Sequence, residues 1–153
     1  MKHKYKVYLD TSVISALYDA RNPERKILTE QFFREIELFE IFVSEITMAE
    51  IENTPDTVLR TKMMKVSEGF FRLTMNSEIE QITTEYVRLG IVPEKYKIDA
   101  RHIALASYYD MDFVVSWNFK HIVKRKTKDT VRMVNTHNNL KQIEIVTPAE
   151  LLQ

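Results

Sequence analysis

Apolar and polar positions alternate from Tyr5 to Leu9, with Val7 and Leu9 on one face, and this predicts a short first strand. A helix is expected over Ser12–Tyr18; "ARNPERK" then breaks it, with Pro23 well placed to start the next. From Glu24 to Leu38 the apolar residues Ile27, Leu28, Phe32, Phe33 and Ile36 keep a helical period. "FEIFVS" (Phe39–Ser44) reads as a second strand, and Ser44 as the cap of a helix running through Ile51. "NTP" breaks that helix at Asn53–Pro55. Asp56–Phe70 is helical again, and "FRLTMN" ends in a cap-like Asn76–Ser77. Ser77–Leu89 is amphipathic and stops at Gly90, a C-cap glycine. After "IVPEKYK" come a helix over Ile98–Tyr109 and an apolar strand, "DFVVSW" (Asp112–Trp117). A basic, weakly helical segment and a last strand in "EIVTP" (Glu144–Pro148) complete the chain.

Strands alternate with helices throughout, and no repeat or low-complexity linker interrupts them. This is the pattern of an α/β fold, a parallel sheet wrapped by helices. In such sheets ligands bind beyond the carboxyl ends of the strands.

Composition narrows the chemistry. The 153 residues are enough for one domain, 1–153, with a real core, and 44% hydrophobic against 29% charged residues argues against disorder. Without cysteine, disulfides, zinc–thiolate sites and thiol catalysis are excluded. Gly69 and Gly90 are the only glycines, so neither a P-loop nor a G-x-G-x-x-G fingerprint can exist. The 22 basic and 22 acidic residues cancel, so only local clustering can speak for nucleic acid. No apolar run approaches the ~18 residues of a membrane span. No signal-peptide pattern precedes the first strand, so a cytoplasmic protein without membrane partners is expected.

Four polar residues fall where an α/β site would lie. Asp10 ends the first strand, and Asn118 lies just past the strand that ends in Trp117. Glu50 follows the second strand by about one and a half helical turns. Asp99 occupies the first turn of the helix before Phe113. Each has an ordinary reading: Asp10 as a helix cap, Glu50 as an exposed helix residue, Asp99 as a dipole partner, Asn118 as a turn residue. Their surroundings weigh the other way, because "MAEI" and "VSWNF" set single polar groups among apolar ones. Three carboxylates at ~5 Å would repel by roughly 3 kcal/mol per pair at an effective dielectric of 20. Protonation, a lysine partner or a divalent cation would relieve that. Oxygen ligands without His or Cys favour Mg²⁺ or Mn²⁺.

The stretches "VYLDTSVISAL", "VSEITMAEI", "IDARHIALAS" and "FVVSWNFKHI" stand in the order found in PIN-domain nucleases. From Lys6 to about Thr147 the chain resembles that family, especially its VapC-type toxin-like ribonucleases. The resemblance implies a three-layer α/β/α sandwich with a central, mainly parallel sheet. It also implies a metal-dependent endoribonuclease that hydrolyses RNA phosphodiester bonds as the toxin of a toxin–antitoxin module. Asp10, Glu50 and Asp99 would then be metal ligands for Mg²⁺ or Mn²⁺. Asn118 takes a fourth catalytic position where many relatives have Asp. Of the hydroxyls after Asp10, Ser12 is preferred to Thr11 as a water or ligand contact. The implied partners are RNA and an antitoxin protein, with a homodimer as the assembly to test.

Other residues carry two readings. Glu45 is five residues before Glu50 and reads as a surface carboxylate. His102 follows Asp99 by three and reads as a packed or hydrogen-bonding histidine ahead of a phosphate contact. Trp117 reads as core ahead of a base platform. The run "KHIVKRKTK" (Lys120–Lys128) is either solvated surface or a phosphate site, with Lys120, Lys124, Arg125 and Lys126 as its RNA contacts. Two competing functions remain. One is a catalytically weakened PIN-like module that binds nucleic acid or a partner. The other is a haloacid-dehalogenase-like phosphatase, which wants a second Asp where this chain has Ser12.

Overall fold

The structure, a computed structural model, describes residues 3–153. Five strands form one sheet, every pair parallel: β1 (Lys6–Leu9), β2 (Glu40–Ser44), β3 (Phe71–Leu73), β4 (Phe113–Val115) and β5 (Glu144–Val146). Their order across the sheet is β3-β2-β1-β4-β5. Central β1 is matched by Val7 to Ile41 of β2 and to Phe113 of β4.

The two-residue alternation of the strands sorts the core into two layers. Tyr8, Val114 and Ile145 pack against α5 (Ser77–Arg88), α6 (Lys97–Tyr108) and α7 (Arg125–His137). Val7, Leu9, Ile41, Val43 and Val115 pack the other way, against α1 (Thr11–Ala16), α2 (Pro23–Arg34), α3 (Glu45–Glu52) and α4 (Thr57–Ser67). The result is a three-layer α/β/α sandwich. Fully burying each such side chain contributes roughly 1.5–3 kcal/mol, so neither layer of helices is dispensable.

Local chemistry sets the element ends. Ser44 caps α3 through a capping box with Thr47, and the Asp56 and Asn76 side chains cap α4 and α5. Gly90 (φ 86°) closes α5 in the left-handed conformation, where its N–H reaches Val87 and that of Ile91 reaches Tyr86.

Three expected boundaries shift. α2 stops at Arg34, and a 3₁₀ turn (Ile36–Leu38) follows; Ile36 keeps the apolar rhythm although the helix has ended. α4 ends at Ser67, whose hydroxyl bonds back to the Met63 carbonyl. "FRLTMN" holds an edge strand that periodicity did not reveal, because in β3 only Leu73 is buried while Phe71 and Arg72 are exposed. Two exposed positions in three leave no alternation to read.

Candidate active site at the carboxyl end of the sheet

From β1 the chain moves outward to β2 and β3, then crosses to the opposite side of β1 for β4 and β5. The carboxyl ends of β1 and β4 therefore flank a topological switch point, the place where an open α/β sheet leaves a crevice. Asp10 lies there, 3% exposed, its N–H bonded to the Val115 carbonyl at 3.3 Å. It holds the N-cap position of α1 but makes no side-chain capping bond. Its Oδ1 accepts from the Ser12 hydroxyl (2.5 Å) and its Oδ2 from the Ser116 hydroxyl (2.6 Å). Burial raises the pKa of this carboxyl; the charges and hydroxyls of His102, Ser116 and Ser12 oppose the rise, and the like charge of Asp99 adds to it.

Glu50 reaches the same edge from α3. Its Oε1 accepts from Thr11 Oγ1 at 2.6 Å and lies 2.7 Å from His102 Nε2. His102, 2% exposed on α6, has its Nδ1 2.6 Å from the Tyr8 hydroxyl, which in turn meets Ser44 Oγ at 2.8 Å. Burial alone would favour the neutral imidazole. The Tyr8 oxygen, the hydrogen-bonded Glu50 carboxylate and the Asp10 charge outweigh it and raise the His102 pKa to about 10. Burial works against the Glu50 carboxylate, yet bonding to His102 and Thr11 leaves its pKa lowered.

Asp99, in the first turn of α6, has Oδ2 2.8 Å from His121 Nδ1. The His121 ring lies 4.5 Å from that of Tyr96, and Lys120 places its ammonium 5.7 Å from the Tyr96 ring. Asn118 ties these parts together. Its Oδ1 accepts the His121 N–H (2.9 Å), and its own N–H donates to Ser116 Oγ (2.9 Å), the hydroxyl that binds Asp10. The side-chain oxygen of Asn118 is therefore used as a turn residue uses it.

Ser12 bonds to Asp10 and accepts the Trp117 N–H at 2.9 Å. Glu45 is exposed and holds the Met75 N–H at 2.9 Å, away from Glu50. Trp117 is 8% exposed in the core layer of α1 to α4, its Nε1–H bonded to Thr29 Oγ1. The basic run is not uniformly solvated: His121, Ile122 and Thr127 are buried, Lys124 is half-buried, and Lys120, Arg125 and Lys126 are exposed. Lys126 lies over Gly90.

Sequence reasoning missed His121 and Ser116. His121 lies inside a run read for its charge, and its partner is 22 positions away. Ser116 reaches Asp10 across 106 positions, a pairing with no local signal. His102 carried a signal, its i+3 spacing from Asp99, but its bond goes to Glu50.

The donor set suits a hard divalent cation, since it consists of carboxylate oxygens. Glu50 Oε2 and Asp99 Oδ1 accept no hydrogen bond among the described residues, and remain available to a ligand. Among the described residues no three His, Asp or Glu side chains form a ready-made cation cluster, so binding would draw them together from their present bonds.

Residues 7–122 match the family model described as PIN domain, a span that runs from β1 through the turn after Asn118. No curated protein matches the chain. The crystal structure of VapC20 from Mycobacterium tuberculosis, a sarcin-ricin-loop-cleaving toxin, is similar in fold. Its TM-score is 0.59 at 14% identity, over 75% of this chain and 92% of that one.

Proposed function

We infer that this chain, which belongs to the PIN-domain family, is a metal-dependent endoribonuclease acting in the cytoplasm as the toxin of a toxin–antitoxin pair. One observation carries the reading. A carboxylate, Asp10, is buried at the switch point of the sheet with its side chain withheld from helix capping, Asp99 close enough to act on its charge, and Glu50 bonded to the adjacent Thr11. VapC20 being a toxin that cleaves the sarcin-ricin loop supports RNA as the substrate and an antitoxin as the partner.

Asp10, Glu50 and Asp99 would hold Mg²⁺ or Mn²⁺, which when bound polarises a phosphoryl oxygen and acidifies a water. Until cation binding draws them together, the chain's own groups hold the three carboxylates in separate bonds. Ser12 and Ser116 fix both oxygens of Asp10, His102 and Thr11 fix Glu50, and His121 fixes Asp99. Lys120 lies on the ring that backs His121, where it can draw a phosphate toward the carboxylates. In the reaction a water oxygen bonds to phosphorus and the phosphorus–oxygen bond to the leaving ribose breaks.

A catalytically weakened module that binds RNA or a partner is the second reading. It is favoured by Asn118, a neutral residue whose oxygen is already committed to a turn. A phosphatase of the haloacid-dehalogenase type is disfavoured, because Ser12 stands where its second Asp belongs and is bonded to Asp10 and Trp117. The test is a cleavage assay over structured and unstructured RNAs with Mn²⁺, Mg²⁺ or chelator. Cleavage should require the cation and vanish in Asp10→Asn. Cutting that persists in chelator would sink the proposal, and cation binding without cutting would select the weakened module.

A further inference from the structure

Beside Asp10, on the α1–α2 side of the crevice, lies a cavity of about 300 Å³ that none of the three carboxylates lines. Ser12 and Asn118 form its border with the site, and Ser15, Asn22, Arg25 and Trp117 form much of the remaining wall. Its volume stands at the lower end of the range for small-ligand sites, about 300–1,000 Å³.

Arg25 is the unusual member. Its guanidinium carbon lies 5.2 Å from the Trp117 ring and 5.6 Å from the Phe119 ring. Its guanidinium faces no carboxylate among the described residues, a state it shares with Arg34, Arg60, Arg72, Arg88 and Arg132, but Arg25 is the arginine on this cavity wall. It is also held in place. The Trp117 indole donates to Thr29 Oγ1 (2.8 Å), and that hydroxyl donates to the Arg25 carbonyl (2.7 Å), so the tryptophan ring under the guanidinium is fixed to the turn of α2 that carries Arg25. Phe119 is 50% exposed, one residue beyond Asn118. The carboxylate on the cavity wall, Asp19, is answered within its own turn by Arg21 (2.9 Å) and Asn22 (3.4 Å).

We propose that this cavity is a subsite for one unpaired nucleoside of the RNA, next to the phosphodiester that Asp10 serves. The base stacks on the guanidinium plane of Arg25, which the Phe119 ring supports from outside the cavity, and the N–H groups of Arg25 take the adjoining phosphate. A base paired in a duplex presents no free face, so the subsite selects single-stranded loops or ends. The proposal rests on the ribonuclease reading for its substrate, but the two can be tested apart.

Trp117 is the chain's single tryptophan and lines this cavity and the adjoining pocket along Arg21–Arg25, so its emission reports on occupancy of that face. The experiment titrates the full chain with RNA hexamers, either single-stranded or locked in a hairpin stem, in chelator, where a cation-dependent nuclease cannot cut. Single-stranded hexamers should quench Trp117, and stems should not. Phe119→Leu keeps the apolar bulk without the aromatic face, and Arg25→Gln keeps the length without the charge; each should weaken binding about tenfold. Absence of quenching, equal quenching by stems, or unchanged affinity in both variants would overturn the subsite. Quenching by a protein that cuts no RNA would keep the subsite and refute the nuclease. Cutting without quenching would do the reverse.

Discussion

His102 lies between Tyr8 and Glu50, with Nδ1 2.6 Å from the tyrosine hydroxyl and Nε2 2.7 Å from the carboxylate, so a buried imidazole joins the core strand to the acidic edge. A protonated ring donates at both nitrogens.

The first prediction concerns pH. A histidine whose folded pKa is raised to about 10, from about 6.5 unfolded, contributes stability in full below 6.5. That contribution is lost as pH rises from there through about 10. Wild type should therefore melt at falling temperature across this window, and His102→Gln should show a flatter profile. At pH 6 the variant should be less stable by about 1–3 kcal/mol, having lost two buried hydrogen bonds. Urea melts at steps of pH measure this; parallel profiles in the two proteins would mean that His102 is neutral.

Asp10→Asn should separate stability from activity. A carboxyl with a pKa raised by burial loses stability as pH rises through that pKa, so the neutral amide removes a cost paid near neutrality. Ser12 or Ser116 can rotate its hydroxyl to accept from the amide. The variant should melt higher by about 2–4 °C, which corresponds to ~1 kcal/mol for a chain of this size. RNA cleavage should fall at least ~100-fold, a loss of about 2.7 kcal/mol in transition-state stabilisation. Mn²⁺ at ~100 times its Kd should stabilise wild type by roughly 2.7 kcal/mol and leave the variant unmoved. An equal metal shift in both would place the cation elsewhere.

Asn118 should support the site without being indispensable. Its amide oxygen holds the turn that presents His121 to Asp99, and a serine hydroxyl links its backbone to Asp10. Asn118→Ala should keep measurable cleavage, reduced ~10-fold, where Asp10→Ala keeps none; this corresponds to about 1.4 kcal/mol. Asn118→Asp can still accept the His121 N–H and adds a hard anionic oxygen, so Mn²⁺ should bind more tightly. Calorimetric titration decides: identical affinity in wild type and Asn118→Asp would reduce Asn118 to its turn.

Phosphate attraction should be strongest at Lys120, which lies over Tyr96 beside His121, as Lys95 also does, and follows Asn118 directly. Lys120→Gln should lower the slope of log affinity against log salt by somewhat under one for single-stranded RNA. Neutralising Lys124, Arg125 and Lys126 together should flatten it further. If Lys120→Gln leaves the slope unchanged while the triple variant lowers it, the phosphate track runs along α7 instead.

The sequence by itself determined most of the elements, β3 excepted, and pointed to the carboxyl edge of the sheet. Alternation in Tyr5–Leu9, the cap at Ser44 and the left-handed stop at Gly90 depend on neighbours within about four positions. Such signals therefore survive in the linear chain. Asp10, Asp99 and Asn118 were singled out for the same reason, each being a polar residue at a recognisable strand end or helix start, whereas Glu50 stood out as a carboxylate among apolar neighbours within α3. Strand order was not legible. It depends on β1 pairing with β4 across about a hundred residues, and only that pairing makes the β1–β4 gap a switch point. The tertiary structure alone decided that Ser116 meets Asp10, that His121 meets Asp99, and that His102 turns to Glu50. It also divided the basic run into buried and exposed parts, and placed Arg25 over Trp117 with no carboxylate partner among the described residues. Those contacts are set by packing between distant helices, where a side chain's partner is whatever the sheet brings within about 3 Å.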